Sequence, residues 1–238
     1  MTTGTTTLGR SLPAAPLLLV PGAALLVAAN ILHPMDADPS PVSRLEFATE
    51  SAWIPVHLAL ALGFMLVTAG LLVVSRHLQD AGSPTLAPFA TTATLIGGIL
   101  LVTLFGALDG HAVSALAASE ADPGTIRAAA IAEEAIDTGV AAMGTLAFFG
   151  FAMGALGIAI SRGAMLQRWI GWAAIVIGAA GTVAGVMLLA QGATSFTINV
   201  LLRPVAAAGT LWFIALGLAW RKRTPTGPHT SEAIGTAS

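Results

Sequence analysis

Six stretches of this chain are each long and apolar enough to cross a bilayer, and that constrains its fold more than any motif. A membrane-crossing helix needs about 20 mostly apolar residues. Residues 16–32, 53–75, 87–108, 139–161, 169–190 and 200–220 meet the condition. The charge content supports the same reading: 9% of the 238 residues are charged and mean hydropathy is +0.84, whereas a soluble domain carries roughly a quarter charged residues. The expected fold is all-α, a polytopic bundle of about six transmembrane helices in the plasma membrane, with the lipid bilayer as its first partner. The first stretch has an alternative reading as a cleaved signal peptide, from Arg10, a short apolar run and Val27-Ala28-Ala29.

Basic residues set the direction of such a bundle. With the N-terminus inside, Arg10, Arg76, Arg162, Arg168, Arg221, Lys222 and Arg223 are cytoplasmic, and only Arg44 and Arg127 lie in outer segments. The acids crowd outside: Asp36, Asp38, Glu46, Glu50, Asp109, Glu120, Asp122, Glu133, Glu134 and Asp137, against Asp80 and Glu232 inside. Both termini are therefore expected in the cytoplasm. Residues 1–14 and 222–238 read as flexible tails around a membrane domain of residues 15–221, being Thr-, Gly- and Pro-rich. Trp53, Trp169, Trp172 and Trp220 stand at span ends, where aromatic belts form; Trp212 sits deeper.

Between the third and fourth spans, Asp122-Pro123 reads as an N-cap with proline at the first helical position. A helix is expected to run from there into the fourth span, with a break at Thr138-Gly139, and residues 112–118 to extend the third span outward. Gly150 with Gly154 and Gly181 with Gly185 form two GxxxG pairs. Such pairs let helix backbones approach closely, within the chain or in an oligomer.

Several function classes are excluded. No basic excess exists to neutralise nucleic-acid phosphates, since the formal charge is −2. Without cysteine there are no disulfides, thiolate zinc sites or iron–sulfur clusters. Neither a phosphate-binding loop, a dinucleotide fingerprint, a GxSxG elbow nor an HExxH helix is present.

Ionisable residues at membrane depth are the candidates that remain, because placing them there is costly. They gather toward one face: His33 at the end of span one, Glu50 and His57 at the head of span two, Asp109 and His111 at the end of span three, Asp137 at the start of span four and Arg203 near the outer end of span six. The expectation is an outward-facing polar pocket above an apolar plug. His33, His57, Asp109 and His111 form a chemically adequate set for zinc or another divalent metal, although no two histidines stand at the i, i+4 spacing of a helical metal motif. A haem between His57 and His111 is a further option. Arg203 is expected to pair with Asp109, Asp137 or Glu134, or to bind an anionic ligand.

The Trp53-x-x-x-His57 head of span two, Arg168-Trp169-Ile170-Gly171-Trp172 opening span five and Trp220-Arg221-Lys222-Arg223 closing span six resemble a family of small six-span bacterial integral membrane proteins of unknown function. The resemblance implies the architecture and carries no activity. Three functions compete: a small-molecule- or lipid-binding, sensory or accessory protein acting with a membrane partner; an intramembrane metal- or haem-dependent enzyme using His57, Asp109 and His111; and a secondary transporter, ranked last because the inner halves of the spans lack polar residues.

Overall fold

The computed structural model describes residues 14–33 and 40–222. The expected tails, apart from Ala14 and Lys222, lie outside the described residues, as do Arg10, Asp36, Asp38, Arg223 and Glu232. The described chain is helical, with no strand among the described residues. Six helices are long and apolar enough to cross a membrane: α1 (Ala14–Leu32), α3 (Trp53–Asp80), α4 (Leu86–Ala117), α5 (Pro123–Arg162), α6 (Arg168–Gln191) and α7 (Thr197–Arg221). A short helix, α2 (Pro41–Phe47), lies between the first two spans. This is the architecture of a multi-pass membrane protein.

Each span packs on the next in chain order, and α1 returns against α7, so the bundle closes. The fourth span is the most enclosed. In its most apolar stretch 72% of residues are buried, against at most 56% in any other span. Large apolar side chains elsewhere point outward, among them Leu58, Met65, Ile99, Val176 and Leu211. A soluble protein could not keep such a surface dispersed; lipid can cover it.

The α5–α6 seam explains how the fourth span becomes so enclosed. A Cβ on Gly178 would stand 2.7 Å from the Gly154 nitrogen, and one on Gly181 would stand 2.6 Å from the Phe149 carbonyl carbon. The paired small residues thus serve contact between two helices of one chain. Where the seam opens toward the centre, Phe148 and Phe149 of α5 meet Phe64 of α3 edge to face, Phe148 meets Phe213 of α7 in the same way, and Phe64 stacks on Phe105 of α4 at 5.5 Å. Phe64 lies two turns along α3 from His57, so this aromatic group forms the apolar floor beneath the polar end.

The hairpin between spans three and four is more regular than the sequence suggests. Asp122 caps α5, accepting from the backbone N–H groups of Gly124 and Thr125 at 3.0 Å each. The helix then runs through Thr138-Gly139 without the expected break. Its 40 residues span about 60 Å at 1.5 Å per residue, twice the roughly 30 Å hydrocarbon core, so it projects well beyond the membrane. Three spans contain a stretch of wider π-helical turns, at Leu104–Ala112, Leu146–Ala152 and Thr197–Leu202.

Two tryptophans depart from the aromatic-belt expectation. Trp169 and Trp172 are exposed at 55% and 60%, as anchors must be, but Trp53 and Trp220 are 1% and 2% exposed. Trp220 packs edge-on against His77, and Trp212 donates from its indole nitrogen to the Ile170 carbonyl. A full hydrogen-bonded burial is available to an indole that finds a carbonyl.

Candidate functional site

The site forms beside the short helix α2, where the end of α1 and the start of α3 meet Asp109 of α4 and Asp137 of α5. Its centre is His57, buried to 1% in the first turns of α3. The His57 Nδ1 lies 2.8 Å from the Trp53 carbonyl one turn earlier. A carbonyl only accepts, so Nδ1 carries a proton, and Nε2 is the nitrogen turned toward the other site residues. Nε2 makes hydrogen-bonding contacts with two further groups: Asp109 Oδ2 at 3.1 Å, a carboxylate oxygen that can only accept, and His33 Nε2 at 3.2 Å.

Each partner is delivered by a local feature of the chain. His33 follows the last turn of α1, which lies closely along α3 because Gly22 and Gly63 face each other; a Cβ on either would stand 3.0 Å from the other's carbonyl oxygen. Asp109 comes from the π-helical stretch of α4, where the wider turn shifts the register and turns carbonyls aside. The Trp53 indole N–H donates to two of these, Asp109 at 3.1 Å and Gly110 at 3.2 Å. Gly110 makes the approach sterically possible. A Cβ there would stand 2.5 Å from the Phe105 carbonyl oxygen and 2.9 Å from the His57 Cβ.

Behind Asp109 lies a charge cluster held by α2. This helix starts with a capping box in which Ser40 Oγ accepts from the Ser43 N–H and Ser43 Oγ accepts from the Ser40 N–H, both at 3.1 Å. It is pinned by a small apolar group of Ala48, Trp53 and Val113 with Leu45, Phe47 and Ala117. Arg44 then reaches inward. One guanidinium nitrogen donates to Asp109 Oδ1 at 2.6 Å and Asp137 Oδ2 at 2.5 Å; the other lies 3.5 Å from Glu133 Oε2. Burial alone would make the charged form of Arg44 less favourable, but Asp109 and Asp137, and then Glu133, outweigh it and hold its pKa above the ordinary arginine value.

Thus His33, His57 and Asp109 each offer one ligand atom within 4.8 Å of the others. A tetrahedral zinc with bonds of about 2.0–2.1 Å places its ligand atoms about 3.3 Å apart, so the two short separations already fit. The donor set is right as well: two imidazoles and a carboxylate, one histidine with its second nitrogen fixed by a carbonyl and the carboxylate with its second oxygen fixed by Arg44. Such outer partners orient ligands and raise their basicity.

The other expected members lie elsewhere. His111, two residues beyond Asp109, is exposed and outside this group. A haem between His57 and His111 does not fit, because Nε2 of His57 is already closed in by His33 and Asp109 at 3.2 and 3.1 Å. Glu50 is exposed in the turn before α3. Arg203 is exposed and donates to Asn199 one turn earlier on its own helix, not to Asp109, Asp137 or Glu134. The cation paired with the acids is Arg44, which the sequence marks only as one of two basic residues in the segments read as outer. The polar residues interlock as a mostly buried cluster, and the neighbouring groove of about 350 Å³ lies to one side, between α5 and α6, lined by Glu134, Thr138 and Leu188 among others.

No protein-family model, curated protein or solved structure matches this chain.

Proposed function

We propose that the protein is a plasma-membrane metal-binding protein of the sensory or accessory kind, taking one zinc-like divalent ion at His33, His57 and Asp109. In this reading both termini are cytoplasmic, the site faces outward, and the chain is one of the small six-span bacterial proteins its span-end motifs resemble. The observation that carries it is the convergence of one ligand-type atom each from His33, His57 and Asp109, all within 4.8 Å of one another. With Nδ1 of His57 committed to a carbonyl, Nε2 is the nitrogen left to face Asp109 and His33, and a divalent ion bound there takes the place of the proton that joins these groups. Zinc accepts this ligand set, and imidazole with carboxylate also suits other first-row ions.

The test is equilibrium dialysis of detergent-purified protein against Zn²⁺. One ion per chain is expected in the wild type and in His111→Ala, with affinity reduced at least tenfold in His57→Ala and in His33→Ala. Absence of stoichiometric zinc in the wild type overturns the reading.

A second reading, a metal-dependent enzyme, is favoured by the ligand count. Three protein ligands leave a position for water, as in hydrolytic zinc sites. A Co²⁺-loaded protein whose visible spectrum titrates near neutral pH supports a bound water there; a spectrum independent of pH removes this reading.

A further inference from the structure

Asp109 faces two ways, and its second face belongs to a group of oxygens that the metal reading leaves unused. Oδ2 points at His57, while Oδ1 takes Arg44. Around the same guanidinium stand Asp137 and Glu133, making three carboxylates to one cation. Two of their oxygens, Asp137 Oδ1 and Glu133 Oε1, are buried without a hydrogen-bond partner among the described residues. Asp137 is 6% exposed. Buried carboxylate oxygens are ordinarily satisfied, and leaving two unpaired beside a net negative cluster is costly.

We propose that Asp109, Glu133 and Asp137 form a second cation site, of the hard, oxygen-ligand class that takes Ca²⁺, and that Arg44 fills it as a tethered cation. The centre is then built like a carboxylate-bridged pair, with Asp109 shared between a metal position on the histidine side and a guanidinium on the acid side. The placement supports this. One Arg44 nitrogen sits between a carboxylate oxygen of Asp109 and one of Asp137, the position a cation shared by the two would take. All its ligands are oxygens, which suit calcium and not zinc, whereas the other position is rich in imidazole. The occupant is also detachable in principle, being carried on the seven-residue helix α2 rather than on a span.

This assignment rests on the metal reading only for the role of Asp109 as a bridge, and the two are separable because the probes differ. Ca²⁺ binding is measured by titration calorimetry on the full-length protein in detergent, with Co²⁺ binding followed optically on the same samples. Wild type and Arg44→Lys are expected to bind no Ca²⁺. Arg44→Met is expected to bind one Ca²⁺ per chain and to gain thermal stability from it, and Arg44→Met with Asp137→Asn to lose at least tenfold in Ca²⁺ affinity. An Arg44→Met protein that ignores Ca²⁺, or that stays unfolded when purified with Ca²⁺ present, overturns the second site. Equal Ca²⁺ binding with and without Asp137→Asn overturns it as well. Failure of Co²⁺ to bind the wild type instead sinks the histidine-side reading and leaves the calcium result to be read by itself.

Discussion

His57 and Asp109, 52 residues apart in sequence, meet with Nε2 and Oδ2 at 3.1 Å. The contact is built by backbone devices on both sides: a histidine tied to its own helix through Nδ1, and a π-helical stretch that turns the aspartate toward it. Its consequences can be tested one device at a time.

Trp53 holds the π-helical stretch by donating to the Asp109 and Gly110 carbonyls. Trp53→Phe keeps an aromatic ring but removes the donor. Unsatisfied buried carbonyls cost about 1–3 kcal/mol, and loss of an outer partner typically lowers metal affinity about 10–100-fold. Both are expected in this variant, read from thermal unfolding and a zinc titration.

Gly110→Ala should be far more damaging than its chemistry suggests. The added methyl would meet the backbone oxygen of Phe105 at 2.5 Å, and no rotation of a side chain relieves that. Zinc binding is expected to be lost. Gly139→Ala, in the α5 helix with nothing within 4 Å of the new methyl, is the control. It should be neutral or stabilising by about 0.5–1 kcal/mol, the ordinary helix preference for alanine.

The α5–α6 seam gives a second such pair. Gly181→Ala forces a methyl to 2.6 Å from the Phe149 backbone, whereas Gly154→Ala meets nothing within 4 Å. Overpacking typically costs about 1–3 kcal/mol. Thermal midpoints of the two variants in the same detergent should separate clearly, with Gly154→Ala near the wild type.

Asp122 predicts a pH effect outside the membrane. The Thr125 hydroxyl, helped by the Thr125 and Gly124 N–H groups, holds its carboxyl below the usual carboxylate range. A carboxyl lowered in the folded state stabilises above its unfolded value, about 3.9, and that contribution fades as pH falls through the lower folded value. Amide exchange in the first turn of α5 should therefore show cap protection from neutral pH to about pH 4, fading only below. In Asp122→Ala the protection of that turn should be reduced across the whole range.

The number of spans, the helical cap at Asp122-Pro123 and the clustering of His33, His57, Asp109 and Asp137 at one end are legible in the sequence, because composition and helical spacing write them directly. The break at Thr138-Gly139 is not real, since the alanine-rich segment before it continues the helix without a competing cap. The part Arg44 plays in the site is not legible, because nothing local marks it. Its role depends on α2 folding over the bundle, though the segments read as outer hold only Arg44 and Arg127 against ten acids, and that imbalance is a usable signal. The burial of Trp53 is hidden for a related reason. A tryptophan at a span end reads as an interface anchor unless one knows that carbonyls wait beside it, and π-helical turns leave no signature in a single sequence. His111 is two residues from Asp109, yet an exposed position on the same helix separates it from the site.

The most direct test of the metal centre is the visible spectrum of the protein titrated with Co²⁺, which reports both stoichiometry and coordination. The account predicts one Co²⁺ per chain with the intense bands of a four-coordinate ion, abolished by His57→Ala and unchanged by His111→Ala. Six-coordinate spectra, or the same spectrum in wild type and His57→Ala, would contradict it.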